Sequence, residues 1–297
     1  MACGCATTTA TARAERGARE MTAVVPVPER GSERAFLGVS AALFAASAAV
    51  TVVWCQSMSA MGGMPMPGGW AMSMAWMRMP GQSWLGAGSS FLGMWVVMMA
   101  AMMLPALVPM LRRYRRAVRG AGAARLAWLT AIVGAGYFLV WAALGMAAFP
   151  LGAALAAVEM RAPAVARAVP LAAGMVVLIA GALQFSAWKA RALACCREAP
   201  GPGRAPAANA GTAWRHGLGL GLRCSRCCGN LTAVLLALGV MDLRAMAVVG
   251  AAITAERLAP EGERVARAVG AVVVVAGLVL MARAAEASNI NLYQLYW

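Results

Sequence analysis

The chain has 297 residues, 62% of them hydrophobic and only 12% charged, with a formal net charge of +15. A soluble domain is about half apolar and about a quarter charged, so this composition excludes a water-soluble globular fold and leaves the bilayer as solvent. Basic loops on the cytoplasmic side of a membrane protein explain the positive balance without nucleic acid, and eight clustered Cys are too few for a disulfide scaffold.

Residues 1–34 are polar, lack apolar periodicity and read as a disordered cytoplasmic tail carrying Cys3 and Cys5. A transmembrane helical domain is expected over 35–285, followed by a C-terminal tail, 286–297. Phe36–Trp54 is the first span, and 55–86 is an outer loop rich in Gly, Pro, Ser and Met. Ser89–Leu111 is the second span and runs into Arg112, Arg113, Arg115 and Arg116. Leu126–Phe149 is the third, 150–167 a short loop, and Ala168–Trp188 the fourth. A polar linker, 189–215, holds the run Pro200-Gly-Pro-Gly. Gly217–Met241 is long enough to cross despite Arg223 and Arg226. Ala245–Ala255 is too short for a core of about 30 Å at ~1.5 Å per residue and reads as re-entrant or as one arm of a tilted hairpin. Val265–Met281 is the last span. The expected fold is all-α, a polytopic transmembrane helix bundle of six spans with a seventh or re-entrant segment. The 112–125 loop has six Arg and the 189–215 linker five Lys or Arg, whereas the 55–86 loop has only Arg78. The bias puts the N-terminus in the cytoplasm and the Met-rich loop outside a bacterial inner membrane.

The 22 Met are the anomaly of the composition. Eight fall within 22 residues of the outer loop: Met58, Met61, Met64, Met66, Met72, Met74, Met77 and Met79, interleaved with Trp70, Trp76 and Trp84. Thioether sulfur is a soft, neutral ligand that suits Cu(I) and not Zn, Mg or Ca. The competing reading is apolar packing at the membrane interface. In the second span Met94, Met98 and Met102 recur every four residues on one helix face, with Met99 and Met103 beside them. Pro105 and Pro109 should kink that helix.

Cys224, Cys227 and Cys228 sit at i, i+3 and i+4, so on a helix their sulfurs share a face and offer a soft trigonal site. Arg223 and Arg226 are expected to stabilise the thiolates. Cys196, next to Cys195, follows the fourth span. Gln184, Lys189, Asp242 and Glu256 are polar groups near span ends and supporting candidates. His216 is expected to cap a span start. No Ser/His/Asp set, P-loop, G-x-G-x-x-G after a strand or carboxylate pair points to catalysis.

Several of these residues fall in a recognisable order: Met94-Trp95, Ala101-Met102-Met103-Leu104-Pro105, Gln184, Lys189, Leu193, Cys196-Arg197, Pro200, Cys224, Cys227-Cys228, Gly239-Val240-Met241 and Glu256-Arg257. The pattern resembles a bacterial family of predicted metal-binding integral membrane proteins whose members are sometimes labelled copper chaperones. This chain departs from it at Ala192, where the family has a first linker Cys, at Arg226 for Gly, at Gly229 for Trp and at Asp242 for Asn.

The expectation is a membrane protein that binds a soft ion, Cu(I) before other soft metals, captured at the outer Met loop, passed along the second-span Met ladder and held at the Cys triplet. Its expected partners are the lipid bilayer, the metal ion, and a membrane metalloenzyme or copper chaperone. The alternative is a structural or assembly subunit of a membrane complex with sulfur-rich packing and no metal.

Overall fold

The computed structural model describes residues 30–118, 122–197 and 208–295. Cys3, Cys5, Arg119 and the Pro200 run lie outside the described residues. Eight helices follow one another: α1 Arg30–Ala60, α2 Trp84–Ala117, α3 Ala123–Arg161, α4 Pro163–Leu183, α5 Ala187–Arg197, α6 Ala210–Leu238, α7 Leu243–Leu258 and α8 Gly262–Leu295. The fold is an all-α bundle. Within α1, α2, α3, α4 and α8 lie five segments long and apolar enough to cross a membrane. The chain is a membrane protein, and its outer surface agrees. Val53, Leu139, Met146, Leu151, Ile179, Val248, Val272 and Leu278 are all exposed, a burden of apolar surface that only lipid relieves.

The boundaries differ from the expectation in physically informative ways. Helix α1 begins at Arg30, inside the stretch read as tail, because Glu33 pairs with Arg112 and Ser32 accepts from Arg115. The loop expected at 150–167 is helix. Helix α3 runs on through Pro150 to Arg161, and only Ala162 separates it from α4. Its Ala- and Leu-rich sequence favours helix strongly, and a helix among apolar neighbours tolerates the one donor that proline removes. Pro105 and Pro109 likewise lie inside α2 without ending it. The linker expected at 189–215 contains the whole of α5 after its first two residues. Helix α6 starts at Ala210 under the Asn209 cap, so His216 caps nothing; its ring stacks on Tyr114 at 5.2 Å.

Glycines let the helices approach closely. A Cβ on Gly136 or Gly217 would collide with the backbone of the facing helix, which seats α6 directly on α3. Gly174, Gly181 and Gly277 do the same between α4 and α8. Contacts along these pairs fix the ends of the bundle. One end carries Arg112 and Arg115 of α2 with Ser32 and Glu33 of α1, the start of α3, and Arg197 of α5 against Ala259 and Pro260. The opposite end carries the Met-rich segment.

That segment is not an irregular loop. Met64–Met66 (β1) and Trp70–Met72 (β2) form an antiparallel hairpin with Met64 opposite Met72 and Met66 opposite Trp70. Gly68 and Gly69 close the turn with positive φ, a conformation that other residues adopt at a cost. A 3-10 turn, Met74–Trp76, follows. At 39 residues α3 is about 58 Å long, well beyond a hydrocarbon core of ~30 Å. Its last turns and the first turn of α4 form a shelf for the hairpin, where Met66 and Met72 pack against Ala156 of α3 and Ala166 of α4. The Trp70 indole N–H donates to the Ala166 carbonyl at 2.8 Å.

Candidate metal centre

Helix α2 is the most buried of the five span-length helices, and its sulfurs are inside. Met94, Met98, Met99, Met102 and Met103 are all buried in the same core cluster as Cys196, Cys224, Cys227 and Cys228. The i, i+3, i+4 spacing turns all three α6 cysteines inward. Helix α5 brings the fourth thiol. Lys189, Leu193 and Cys196 form its buried face and lay it against α6.

The four thiols are buried together. Cys196, Cys224, Cys227 and Cys228 are all at most 2% exposed and pack in one core cluster. The Cys224 and Cys228 sulfurs are 3.7 Å apart, and Cys224 Sγ is 4.0 Å from Met103 Sδ. The Tyr137 hydroxyl donates to Cys224 Sγ at 3.0 Å. None of these four cysteines is in a disulfide. Among the described residues no three His, Cys, Asp or Glu side chains stand as a preformed ion cage.

A cation completes the site. The Arg257 guanidinium donates to Cys224 Sγ at 3.2 Å and to Met110 Sδ at 2.9 Å. Arg223 and Arg226, expected to serve the thiolates, are exposed on the other side of α6. The tight approach of α3 through Gly217 and Gly221 explains why long side chains at 223 and 226 point away from that face.

Beside the thiols lies a buried ion pair. Lys189 Nζ is 2.7 Å from Glu256 Oε2 and donates to the Cys227 carbonyl at 2.7 Å. Gln184 Nε2 donates to Glu256 Oε1 at 2.7 Å. Glu256 is fully buried. This triad ties α4, α5, α6 and α7 together at the level of Cys227. Asp242 stays outside it: exposed, it caps α7 by accepting from the Arg244 and Ala245 amides.

The structure thus brings together Cys196, Cys224, Cys227, Cys228 and Met103, with Gln184, Lys189 and Glu256 beside them. Met102 lies against α7 at Gly250. Met72 and Met77 pack in the separate hairpin cluster, and Met74 and Met79 are half-buried near it. Sequence reasoning missed Tyr137 and Met110 altogether and saw Arg257 only as part of a motif. A lone Tyr or Met in an apolar run carries no spacing signal, and Tyr137 meets Cys224 across 87 positions of chain.

The model of a family described as "PpoB2: Copper chaperone" matches residues 92–280. That range holds the whole cluster and leaves out the hairpin. No curated protein and no solved structure matches the chain.

Proposed function

The chain belongs to the copper chaperone family, and on that premise we propose that it carries Cu(I) within a bacterial inner membrane. The membrane domain runs from α1, which begins at Arg30, into α8, and the start of α1 lies on the cytoplasmic side. The ion is cargo. It enters at the hairpin end, passes Met94, Met98, Met99, Met102 and Met103, and is held by Cys224, Cys227 and Cys228 with Cys196. Hand-off to a soluble chaperone or a membrane metalloenzyme follows.

One observation carries this reading: Cys224 Sγ has a thiol sulfur at 3.7 Å and a thioether sulfur at 4.0 Å in a fully buried setting. Two sulfurs bound ~2.3 Å from one ion stand about 4 Å apart when the angle at the ion is near trigonal. The donor set is sulfur only, which suits a soft ion, and the Arg257 cation offsets the charge of thiolate ligands. Hairpin methionines Met72, Met74, Met77 and Met79 meet the ion first in this scheme. The arginine end faces the cytoplasm, because short loops rich in Arg stay inside.

Metal analysis of the purified full chain tests the proposal. One tightly held copper per chain, removed by a Cu(I)-specific chelator, supports it. A folded protein from copper-supplemented cells without copper favours the assembly-subunit reading.

A further inference from the structure

We propose that Cys55 and Met241 form a second soft-metal site at the hairpin end of the bundle, a stop between the hairpin methionines and the four thiols. The two residues are 186 positions apart, yet Cys55 Sγ lies 4.0 Å from Met241 Sδ. That separation fits two ligands of one ion, by the same sulfur geometry as above.

The placement is specific. Helix α1 is largely exposed, with Val50, Val52 and Val53 facing outward, but Cys55 is only 2% exposed. Met58, one turn further on the same helix face, packs against the same core. Met241 is presented by a tight connection between α6 and α7. Gly239 takes a φ of +124°, its carbonyl accepts from the Asp242 amide at 3.1 Å, and the Asp242 side chain then caps α7. Met241 is thereby held against the core and not left in a mobile loop.

The pair also sits where a path needs it. Antiparallel packing of α1 on α2, set by the contacts of Ser32 and Glu33 with Arg115 and Arg112, puts Cys55 near the first turns of α2. Cys55 shares one continuous core with Met94, Met98, Met99, Met102, Met103 and the inner cysteines. Sulfur therefore runs from one end of the bundle to its middle. One thiol and one thioether bind a soft ion more weakly than four thiols do, so the gradient points inward. Cys55 precedes the family-matched residues 92–280, so the family match does not assign it.

The inference rests on the reading that a soft ion enters the bundle, and Ag(I) separates the two claims. Every protein in the test carries the background substitutions Cys3→Ser, Cys5→Ser and Cys195→Ser. With the inner site intact, the full chain in detergent should bind about two Ag(I). The added variant Cys196→Ser/Cys224→Ser/Cys227→Ser/Cys228→Ser should keep about one. Adding Cys55→Ser and Met241→Leu should remove it, and Met241→Leu alone should weaken it roughly tenfold or more. If the inner variant is not monodisperse, Cys55→Ser/Met241→Leu in the otherwise intact chain should lower the stoichiometry from two to one. An inner variant that folds and binds no Ag(I), or Ag(I) that survives loss of both Cys55 and Met241, overturns the second site and leaves the inner one standing. No Ag(I) on the intact chain overturns both.

Discussion

Arg257 donates to the sulfur of Cys224 at 3.2 Å, and among the described residues no ion pair joins that guanidinium to a carboxylate. A buried cation without an acid is costly unless its partners carry the compensating charge. Arg257→Met keeps the bulk and removes the charge. Hydrogen bonds to charged groups contribute about 1.5–3 kcal/mol, so Cu(I) affinity should fall by roughly ten- to a hundredfold in competition with a colorimetric chelator. Arg257→Lys should recover only part, because an ammonium lacks the fork that reaches both Cys224 and Met110. Unchanged affinity in Arg257→Met would show that the cation does not serve the ion.

The Lys189–Glu256 pair should behave as a structural clamp. Removing one member of a buried pair leaves the other uncompensated and costs about 3–5 kcal/mol. Lys189→Met should therefore lower the unfolding temperature in detergent markedly. Lys189→Met with Glu256→Gln should regain most of the loss, since neither buried residue is then charged. Equal melting of the single and double variants would place the stability elsewhere.

Much of the site is legible in the sequence, because helical spacing is local. Met94, Met98 and Met102 announce their common face, and so do Cys224, Cys227 and Cys228. Cys196 emerges from the motif order. The rest depends on contacts that no local spacing encodes. Tyr137 and Arg257 reach Cys224 from α3 and α7, and Lys189, read as part of a polar linker, is buried because Glu256 awaits it 67 positions on. The fold departs from the sequence expectation most clearly at Pro150. Pro150 breaks helices in water, but in an Ala-rich helix among apolar neighbours the chain continues. The hairpin was hidden because Pro and Gly between Met residues look like an irregular loop, and only the Gly68-Gly69 turn hints at paired strands.

The hairpin and the ladder should separate on substitution. Met66→Leu and Met72→Leu preserve apolar volume in a packed cluster and should cost under about 1.5 kcal/mol. They should leave copper retained by the purified protein unchanged. Met103→Leu removes the thioether 4.0 Å from Cys224 and should speed copper loss to a chelator several-fold. Equal behaviour of the two groups in chelator assays would argue against a privileged role for Met103.

Orientation follows from the arginine end. A cysteine at Ser59, exposed near the end of α1, should react with an impermeant thiol reagent added to intact cells. A cysteine at Ala124, exposed at the start of α3, should react only after the membrane is opened. The comparison uses a Cys195→Ser background. The reverse pattern would invert the topology and the direction of the sulfur path.

X-ray absorption of the copper-loaded full chain, set beside its Cys224→Ser/Cys227→Ser/Cys228→Ser variant, tests the central claim most directly. The account predicts sulfur-only coordination at about 2.2–2.3 Å in the parent chain, near the range of thiolate sites. It predicts loss of most tightly held copper from a variant that still inserts and runs as a single species. Nitrogen or oxygen ligands in the parent, or copper retained by the triple variant, would contradict it and return these cysteines to helix packing.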